Sequence, residues 1–319
     1  MSTIRVRVAR KQIEATDICS YELVAADGAA LPAFTAGAHV DVHLPGGLTR
    51  PYSLCNDSHE TQRYRIGVLR DAASRGGSKA MHEAVHEGDV LEISVPKNHF
   101  PLAASASRSL LLAGGIGITP ILAMAQALAA AGAPFEMHYC SRAQEHTAFH
   151  AEISAAPFGR DVHFHFDDGA SVQKLSIPDL LAEVQPGVHL YVCGPKGFMD
   201  AVLQTARASG WPEEQLHYEF FSADVGPSVD DASFEVKLAR SGRVVRIAAD
   251  QTVVKALALA GVDIPVSCEQ GVCGTCLTKV LEGEPEHKDF YLTPEEQAAN
   301  DQFTPCCSRS KSALLVLDL

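Results

Sequence analysis

Five of the nine cysteines in this 319-residue chain fall between Cys268 and Cys307. Four of them read Cys268-x₄-Cys273-x₂-Cys276, with Cys306 after a further 29 residues. That is the plant-type spacing for a [2Fe–2S] cluster, in which four thiolates wrap one small inorganic core. Gly271 and Gly274 sit inside the loop, where a missing side chain lets backbone amides approach the sulfurs. A structural zinc site would more commonly present two short cysteine pairs, whereas here three cysteines sit together and one is remote. Cys307 adjoins Cys306, and the spacing selects Cys306. Clustered thiols in a chain of this length are not a disulfide scaffold, which belongs to small secreted domains. Cys19, Cys55 and Cys140 read as ordinary buried thiols.

Two further constellations point to anionic, flat cofactors. Arg50-Pro51-Tyr52-Ser53-Leu54 offers a guanidinium for a phosphate, a ring that can lie against an isoalloxazine, and a hydroxyl for its N5 edge. Arg75-Gly76-Gly77-Ser78-Lys79 precedes a short helix expected after Gly77, and glycines at a helix start make a phosphate cradle. Gly114-Gly115-Ile116-Gly117-Ile118-Thr119-Pro120 follows a short apolar strand and opens a helix, so it can accept a pyrophosphate. Pro120 stands where the last glycine of G-x-G-x-x-G would be, which disfavours an ordinary Rossmann dehydrogenase. Cys193-Gly194-Pro195 is a second strand-end turn that could set a small loop and a thiol beside a nicotinamide. Ser141-Arg142 ends a strand where an adenosine ribose would sit, and an Arg there can bind a 2′-phosphate. The 14 histidines form no ligand pattern; His163 and His165 alternate as one face of a strand does.

These residues need three kinds of scaffold. Residues 1–103 alternate in short runs, Ile4–Val8, Val40–Leu44, Tyr64–Leu69 and Val90–Val95, punctuated by turn signals, as in an antiparallel barrel. From 104 to 222, strands at Leu110–Ala113, Phe135–Cys140, Val162–Phe166 and His189–Cys193 alternate with helical stretches, which predicts a doubly wound parallel sheet. Thr119 is expected to cap the first helix, with Pro120 at its first position and the helix running to Gly132. Residues 223–231, ADVGPSVDD, read as a linker. Residues 232–319 carry a hairpin (Phe234–Leu238, Val244–Ala248), a helix from Thr252 to Ala260, the cysteine loop and a last strand at Leu314–Leu317.

A net charge of −13 and a pI near 5.5 argue against nucleic acid, which requires a basic surface, and suit a positively charged partner. Much of the acid lies between Glu282 and Asp301, where Glu282, Glu284, Glu286, Asp289, Glu295, Glu296 and Asp301 face a lone Lys288. It is either a solvated loop or a steering surface beside the cluster. The charged N-terminus lacks the apolar core of a signal peptide, and the longest apolar stretch, 116–131, is interrupted and too short to span a membrane. A soluble, cytoplasmic protein is expected.

Taken in order, RPYSLCND (50–57), RGGS (75–78), AGGIGITP (113–120), CGP (193–195), CEQGVCGTC (268–276) and CCSRSKSALLVLDL (306–319) resemble the phthalate dioxygenase reductase family, which includes vanillate demethylase reductases. The resemblance covers essentially the whole chain. It implies a ferredoxin-reductase-like FMN barrel, an NADH-binding α/β domain and an α+β, β-grasp plant-type ferredoxin domain. It implies FMN contacts at Arg50, Tyr52, Ser53, Val68, Arg70, Arg75, Gly76, Gly77, Ser78 and Thr119, with Phe221 flanking the ring. Gly115, Gly117, Cys193 and Gly194 would position NADH, with Ser53 and Cys193 nearest the reacting atoms. Cys268, Cys273, Cys276 and Cys306 would hold the cluster. The implied function is passage of electrons from NADH through FMN and [2Fe–2S] to a Rieske-type terminal oxygenase or demethylase. A stand-alone NADH:acceptor reductase and a reductase for a cytochrome P450 remain open alternatives, as does NADPH.

Overall fold

The computed structural model describes residues 3–44, 47–72, 74, 76–221 and 232–319. The expected linker at 223–231 and the site residue Arg75 lie outside them. The chain forms two compact units, Met1–Glu219 and Phe220–Leu319.

The first unit opens with β1 (Thr3–Ala15), β2 (Ile18–Ala25), β3 (Ala38–His43), β4 (Thr49–Ser53), β5 (Tyr64–Leu69), α1 (Gly77–Ala84), β6 (Val90–Ser94) and β7 (Lys97–Asn98). The strands order as β4-β3-β6-β1-β2-β5, with β7 beside β3. A Leu54–Ile66 bridge joins the two ends, so the antiparallel sheet curls onto itself. Curling leaves one face of every strand inside. Val6 and Val8, Val40 and Val42, and Tyr64, Ile66 and Val68 alternate into this core at no more than 1% exposure. Tyr21 and Met81 bring α1 against it, the Tyr21 hydroxyl donating to the Met81 carbonyl at 2.7 Å.

A parallel sheet follows: β8 (Arg108–Gly114), α2 (Ile118–Ala130), β9 (Phe135–Ser141), α3 (His150–Ala155), β10 (Val162–Phe166), α4 (Ile177–Leu180), β11 (Val188–Cys193), α5 (Lys196–Ala208) and β12 (Leu216–Glu219). The order is β10-β9-β8-β11-β12, all parallel. The chain therefore reverses its winding between β8 and β11, the place where open α/β sheets leave a crevice beyond the strand ends. One sequence expectation is corrected here. Thr119 does not cap α2. A single 3₁₀ turn, Gly115–Gly117, runs directly into the helix, the cap position is Gly117, and the Thr119 hydroxyl donates to the Ile116 carbonyl at 3.1 Å. Pro120 is tolerated because first-turn amides have no helical acceptor.

The second unit contains β13 (Phe234–Leu238), β14 (Val244–Ile247), α6 (Val253–Leu259), β15 (Thr278–Glu282), β16 (Pro285–Glu286), α7 (Pro294–Ala299), β17 (Gln302–Phe303), β18 (Arg309–Ser310) and β19 (Leu314–Leu317). A mixed sheet, β14-β13-β19-β15-β17, packs α6 through Val253, Ala256 and Leu257, and β16 pairs with β18. Thr252 caps α6 by accepting from the Lys255 amide. The short α7, missed in the sequence although Thr293-Pro294-Glu295-Glu296 carries a capping signal, is held by a reciprocal capping box. Thr293 accepts from the Glu296 amide at 3.2 Å, and the Glu296 carboxylate accepts from the Thr293 amide at 2.8 Å. Replacing Thr293 by Ala should therefore cost about 1 kcal/mol. Denaturant unfolding followed at the second unit should show that loss, and an unchanged midpoint would mean that α7 contributes nothing.

Candidate functional site

The hairpin register brings the first motif together. β3 and β4 pair His39 with Ser53 and Val40 with Tyr52. Arg50 extends from β4 across the start of α1: a methyl on Gly77 would meet its Cγ at 2.5 Å and its Nε at 2.8 Å. Gly76 supplies the helix cap at φ 94°, a left-handed conformation that glycine adopts without steric cost. Arg50, Gly76 and Gly77 thus lie together. Ser78 lies in the first turn, donating to the Ser74 hydroxyl at 2.9 Å and accepting from the Asp71 amide. Val68 is a core residue, and its carbonyl accepts from His82 at 2.9 Å. Arg70 pairs with Glu83 at 2.7 Å on the surface. The buried Tyr52 hydroxyl has no hydrogen-bond partner among the described residues. Burial also pushes its pKa up, so it stays a neutral phenol. A buried orphan hydroxyl beside a glycine–arginine cradle fits a planar, phosphate-bearing group such as FMN, which would supply the missing partner.

The second motif sits at the switch point. β8 and β11 are paired neighbours with Ala113 opposite Cys193, so their turns end side by side. A methyl on Gly117 would overlap the Cys193 carbonyl, and one on Gly194 would meet Gly114 Cα at 3.0 Å and Phe198 at 2.8 Å. Gly115 takes φ 53°. Gly115, Gly117, Cys193 and Gly194 are therefore gathered in one place, beside the start of α2, where backbone amides can receive a pyrophosphate. Cys193 itself is fully buried, and burial, with the nearby Glu219 carboxylate, raises its pKa well above the ordinary thiol value. It is a neutral thiol, not a nucleophile. Ser141 is buried in a knot of hydroxyls, 2.6 Å from Thr147 Oγ1, and Arg142 is exposed at the same strand end.

Sequence reading missed the residue that joins the two motifs. Glu219 ends β12, and its carboxyl accepts from the Ser53 hydroxyl at 3.4 Å. Although part of the residue reaches the surface, the carboxyl is deeply enclosed, and burial pushes its pKa up to about 8. A charged residue between Tyr218 and Phe220-Phe221 was the available signal. His39, opposite Ser53, was missed too: it is 6% exposed, its Nε2 has no hydrogen-bond partner among the described residues, and burial holds it neutral with a pKa of about 4. Thr119 Cγ2 lies 2.8 Å from the point where a Gly67 methyl would be, so α2 begins directly against β5.

In the second unit the four expected cysteines fall into two thiol pairs. Cys268 contacts Cys273, and Cys306 contacts Cys276. The hydrogen bond shared by Cys268 and Cys273 pushes the Cys273 thiol down and the Cys268 thiol up. Gly271 (φ 70°) and Gly274 (φ 67°) bend the loop, with the Tyr291 ring directly over Gly274. Among the described residues, no three donors converge as they would on a single ion. Two separate thiol pairs suit a two-iron core better than one zinc. Cys307 also contacts Cys306, and it lies 3.1 Å from the Thr304 hydroxyl and close to Gly271. One member of the acidic segment is not surface at all. Asp289 is buried, accepting from Ser308 at 3.2 Å and from the Leu292 amide at 2.8 Å. Glu284 pairs with Lys311 at 2.8 Å. Phe221 falls in this unit, next to Phe220, whose ring stacks on Phe290 at 4.2 Å.

Two family models match parts of the chain. Residues 236–311 match the 2Fe-2S iron-sulfur cluster binding domain, and residues 96–216 match the N-terminal domain of dimethylamine monooxygenase subunit DmmA-like proteins. The chain is 56% identical to a vanillate O-demethylase oxidoreductase of Pseudomonas sp. (strain HR199 / DSM 7063), over 99% of this chain and all of that protein. It superimposes on phthalate dioxygenase reductase, a modular structure for electron transfer from pyridine nucleotides to [2Fe–2S], with a TM-score of 0.80, 41% identity and coverage of 100% and 98%. An intact type IV self-sufficient cytochrome P450 monooxygenase matches at a TM-score of 0.83 and 38% identity, with 99% of this chain covering 41% of that one. Among the described residues, no helix is long and apolar enough to cross a membrane.

Glu219 makes stability depend on pH in a direction that can be worked out. Below the ordinary carboxylate pKa, folded and unfolded chains are both protonated there. As pH rises the unfolded chain ionises first, so stability is lost until the folded pKa of about 8 is passed. Glu219→Gln should remove that loss, raising stability above pH 8 by about 3–5 kcal/mol relative to its effect at pH 4. Parallel denaturant curves at every pH for the two proteins would show the carboxyl to be solvated.

Proposed function

The chain belongs to the phthalate dioxygenase reductase and vanillate O-demethylase oxidoreductase family, and from that premise we propose that it is the reductase component of a two-component Rieske-type aromatic oxygenase or demethylase, fed by NADH. The observation that carries this is the coexistence, in one chain, of a flavin cradle, a switch-point crevice joined to it by Ser53 and Glu219, and a loop with four cysteines in two pairs. FMN when bound accepts an electron pair from NADH and releases it singly, and the [2Fe–2S] cluster carries one electron at a time.

The chain's own residues bind, orient and exclude water. Arg50 and the Gly76–Gly77 turn would hold the phosphate, with Ser78 and Thr119 contributing and Arg75 included from the sequence motif. Tyr52 and Ser53 would contact the flavin, Val68 and Arg70 would contribute from the end of β5, and Phe221 is kept as a flavin contact on the family resemblance alone. Gly115, Gly117, Cys193 and Gly194 seat the nicotinamide nucleotide. The neutral, buried Cys193 excludes water from the reacting face without adding charge. Glu219, protonated below about pH 8, keeps a proton beside Ser53 Oγ without bringing net negative charge to an electron-rich site. Cys268, Cys273, Cys276 and Cys306 ligate the cluster. The exposed Arg142 leaves NADPH as a slower second donor. The working division is 1–103, 104–222, the linker 223–231 and 232–319, in a cytoplasmic protein. The likeness to the self-sufficient P450 favours, as a second reading, service to a P450 partner.

Two experiments test this reading. Cys306→Ser should lose the [2Fe–2S] absorbance bands, because a hydroxyl is a poor ligand for this iron, while Cys307→Ser keeps them; the reverse would reassign the fourth ligand. Electron delivery to a purified Rieske oxygenase should slow as salt rises, since exposed Glu282, Glu295 and Glu296 act over about 8–10 Å. Ferricyanide reduction by NADH should respond much less. A coupled rate that ignores salt would make the acidic segment an ordinary solvated loop.

A further inference from the structure

The outward face of β5 carries a contact that neither cofactor site uses. Tyr64, Ile66 and Val68 point into the barrel core, so Arg65 and Gly67 point out. Arg65 is 8% exposed, and its two terminal nitrogens donate to the two carboxylate oxygens of Glu152 in α3, both at 2.7 Å. The same guanidinium donates to the Cys55 carbonyl at 3.4 Å and lies 4.8 Å from the centre of the Phe149 ring. Phe149 is buried and adopts φ 59°, a left-handed conformation that is a genuine outlier for a bulky residue. Its Cζ is 3.5 Å from the point where a Gly67 methyl would sit, the same point that Thr119 and Ile116 approach from the start of α2. A second tie runs from the Thr16 amide to the Glu145 carbonyl at 2.8 Å. At its other end this segment is knotted to the end of β9 through Ser141, Ala143 and Thr147.

We propose that Arg65 and Glu152, with Phe149 as the wedge between them and Gly67, are positioning residues that set the separation and angle at which the nucleotide-binding sheet meets the barrel. This rests on the proposed function and deepens it. The bidentate pair has a fixed geometry, unlike a single lysine contact. It acts on a buried residue held in a strained backbone state, which reverts unless its surroundings hold it. The strand it grips carries Val68 and abuts Thr119, so slack at Arg65 becomes slack between the flavin and nicotinamide seats. Transfer between two bound partners is sensitive to this: misplacement by about 1 Å can cost on the order of a hundred-fold in rate.

The test uses the full-length holoprotein carrying Arg65→Lys, which keeps the charge but loses the fork, and separately Glu152→Gln, whose half-exposed side chain makes a folded product the expectation. Flavin content and cluster absorbance should match wild type. In rapid mixing with NADH, the limiting rate of flavin bleaching should fall roughly ten- to a hundred-fold, with the half-saturating NADH concentration changed less than two-fold. Amide exchange across 144–155 should quicken in both variants. Unchanged bleaching and exchange would overturn the proposal, and so would a rate loss matched by loss of flavin or NADH binding. If wild type itself fails to bleach with NADH, the functional reading falls, and the exchange result alone still decides whether Arg65–Glu152 holds the segment.

Discussion

Two parallel strands that end so close together that only glycine fits between their turns govern the first unit. Gly117 packs on the Cys193 carbonyl, and Gly114 and Gly194 meet beneath Phe198. A methyl on Gly117 would run into backbone, and methyls on Gly114 and Gly194 would run into the packed Phe198 ring. This crowding is possible because β8 and β11 are direct neighbours in register, and they are neighbours because the winding reverses there. The same close approach lets the 3₁₀ turn flow into α2, brings Thr119 onto Gly67, and so joins barrel to sheet beside the place where a nucleotide would lie. Fold topology and cofactor geometry are thus one constraint expressed twice.

Around that point the chain favours neutral buried groups over charged ones. Tyr52, Cys193 and Glu219 are all pushed up by burial, and His39 is pushed down, so each is uncharged near neutrality. An isolated charge in such surroundings would cost several kcal/mol, whereas a neutral donor or acceptor left without a partner costs about 1–3 kcal/mol. The site therefore resembles a socket completed by its ligand: polar atoms are in place, charge is withheld, and the formal cation, Arg50, stands against the Gly76–Gly77 turn. Arg65 is the exception that follows the same rule, because its buried charge is matched by both oxygens of Glu152.

What could be read from the sequence was what is local in the chain. The cysteine loop is legible because three of its four ligands sit within nine residues and the two glycines that bend it are among them. The Arg50 and Gly76–Gly77 motifs, the switch-point turns and the extents of β5, β10 and β19 are legible for the same reason: each depends on spacing or alternation within a short window. Glu219, His39 and the Arg65–Glu152 pair were not, since their meaning comes from partners 166, 14 and 87 residues away. Thr119 misled because Thr-Pro before an apolar run is a good capping signal, overridden here by the 3₁₀ turn that glycines made available upstream. Asp289 misled in the opposite way: in a run of acids it looks solvated, yet Ser308 and the Leu292 amide satisfy it inside.

The two units answer the problem of holding an electron carrier differently, and the sequence composition follows from that. In the first unit the seat is assembled from distant strands, so it needs a large core and a lock such as Arg65–Glu152 to keep its parts in place. In the second, ligands come mainly from one loop, and a small sheet with one main helix suffices as support. Covalent proximity replaces tertiary precision. The thiols pair within the second unit, and the residues packed on the loop's glycines, Asp289 on Gly271 and Tyr291 on Gly274, belong to the adjacent connection. A seat for an organic cofactor with several recognition points has to be built by the whole fold, whereas a cluster fixed by four strong bonds can be carried by a segment. Mutational sensitivity should accordingly be spread across Met1–Glu219 but concentrated at the cysteine loop and its cover in Phe220–Leu319.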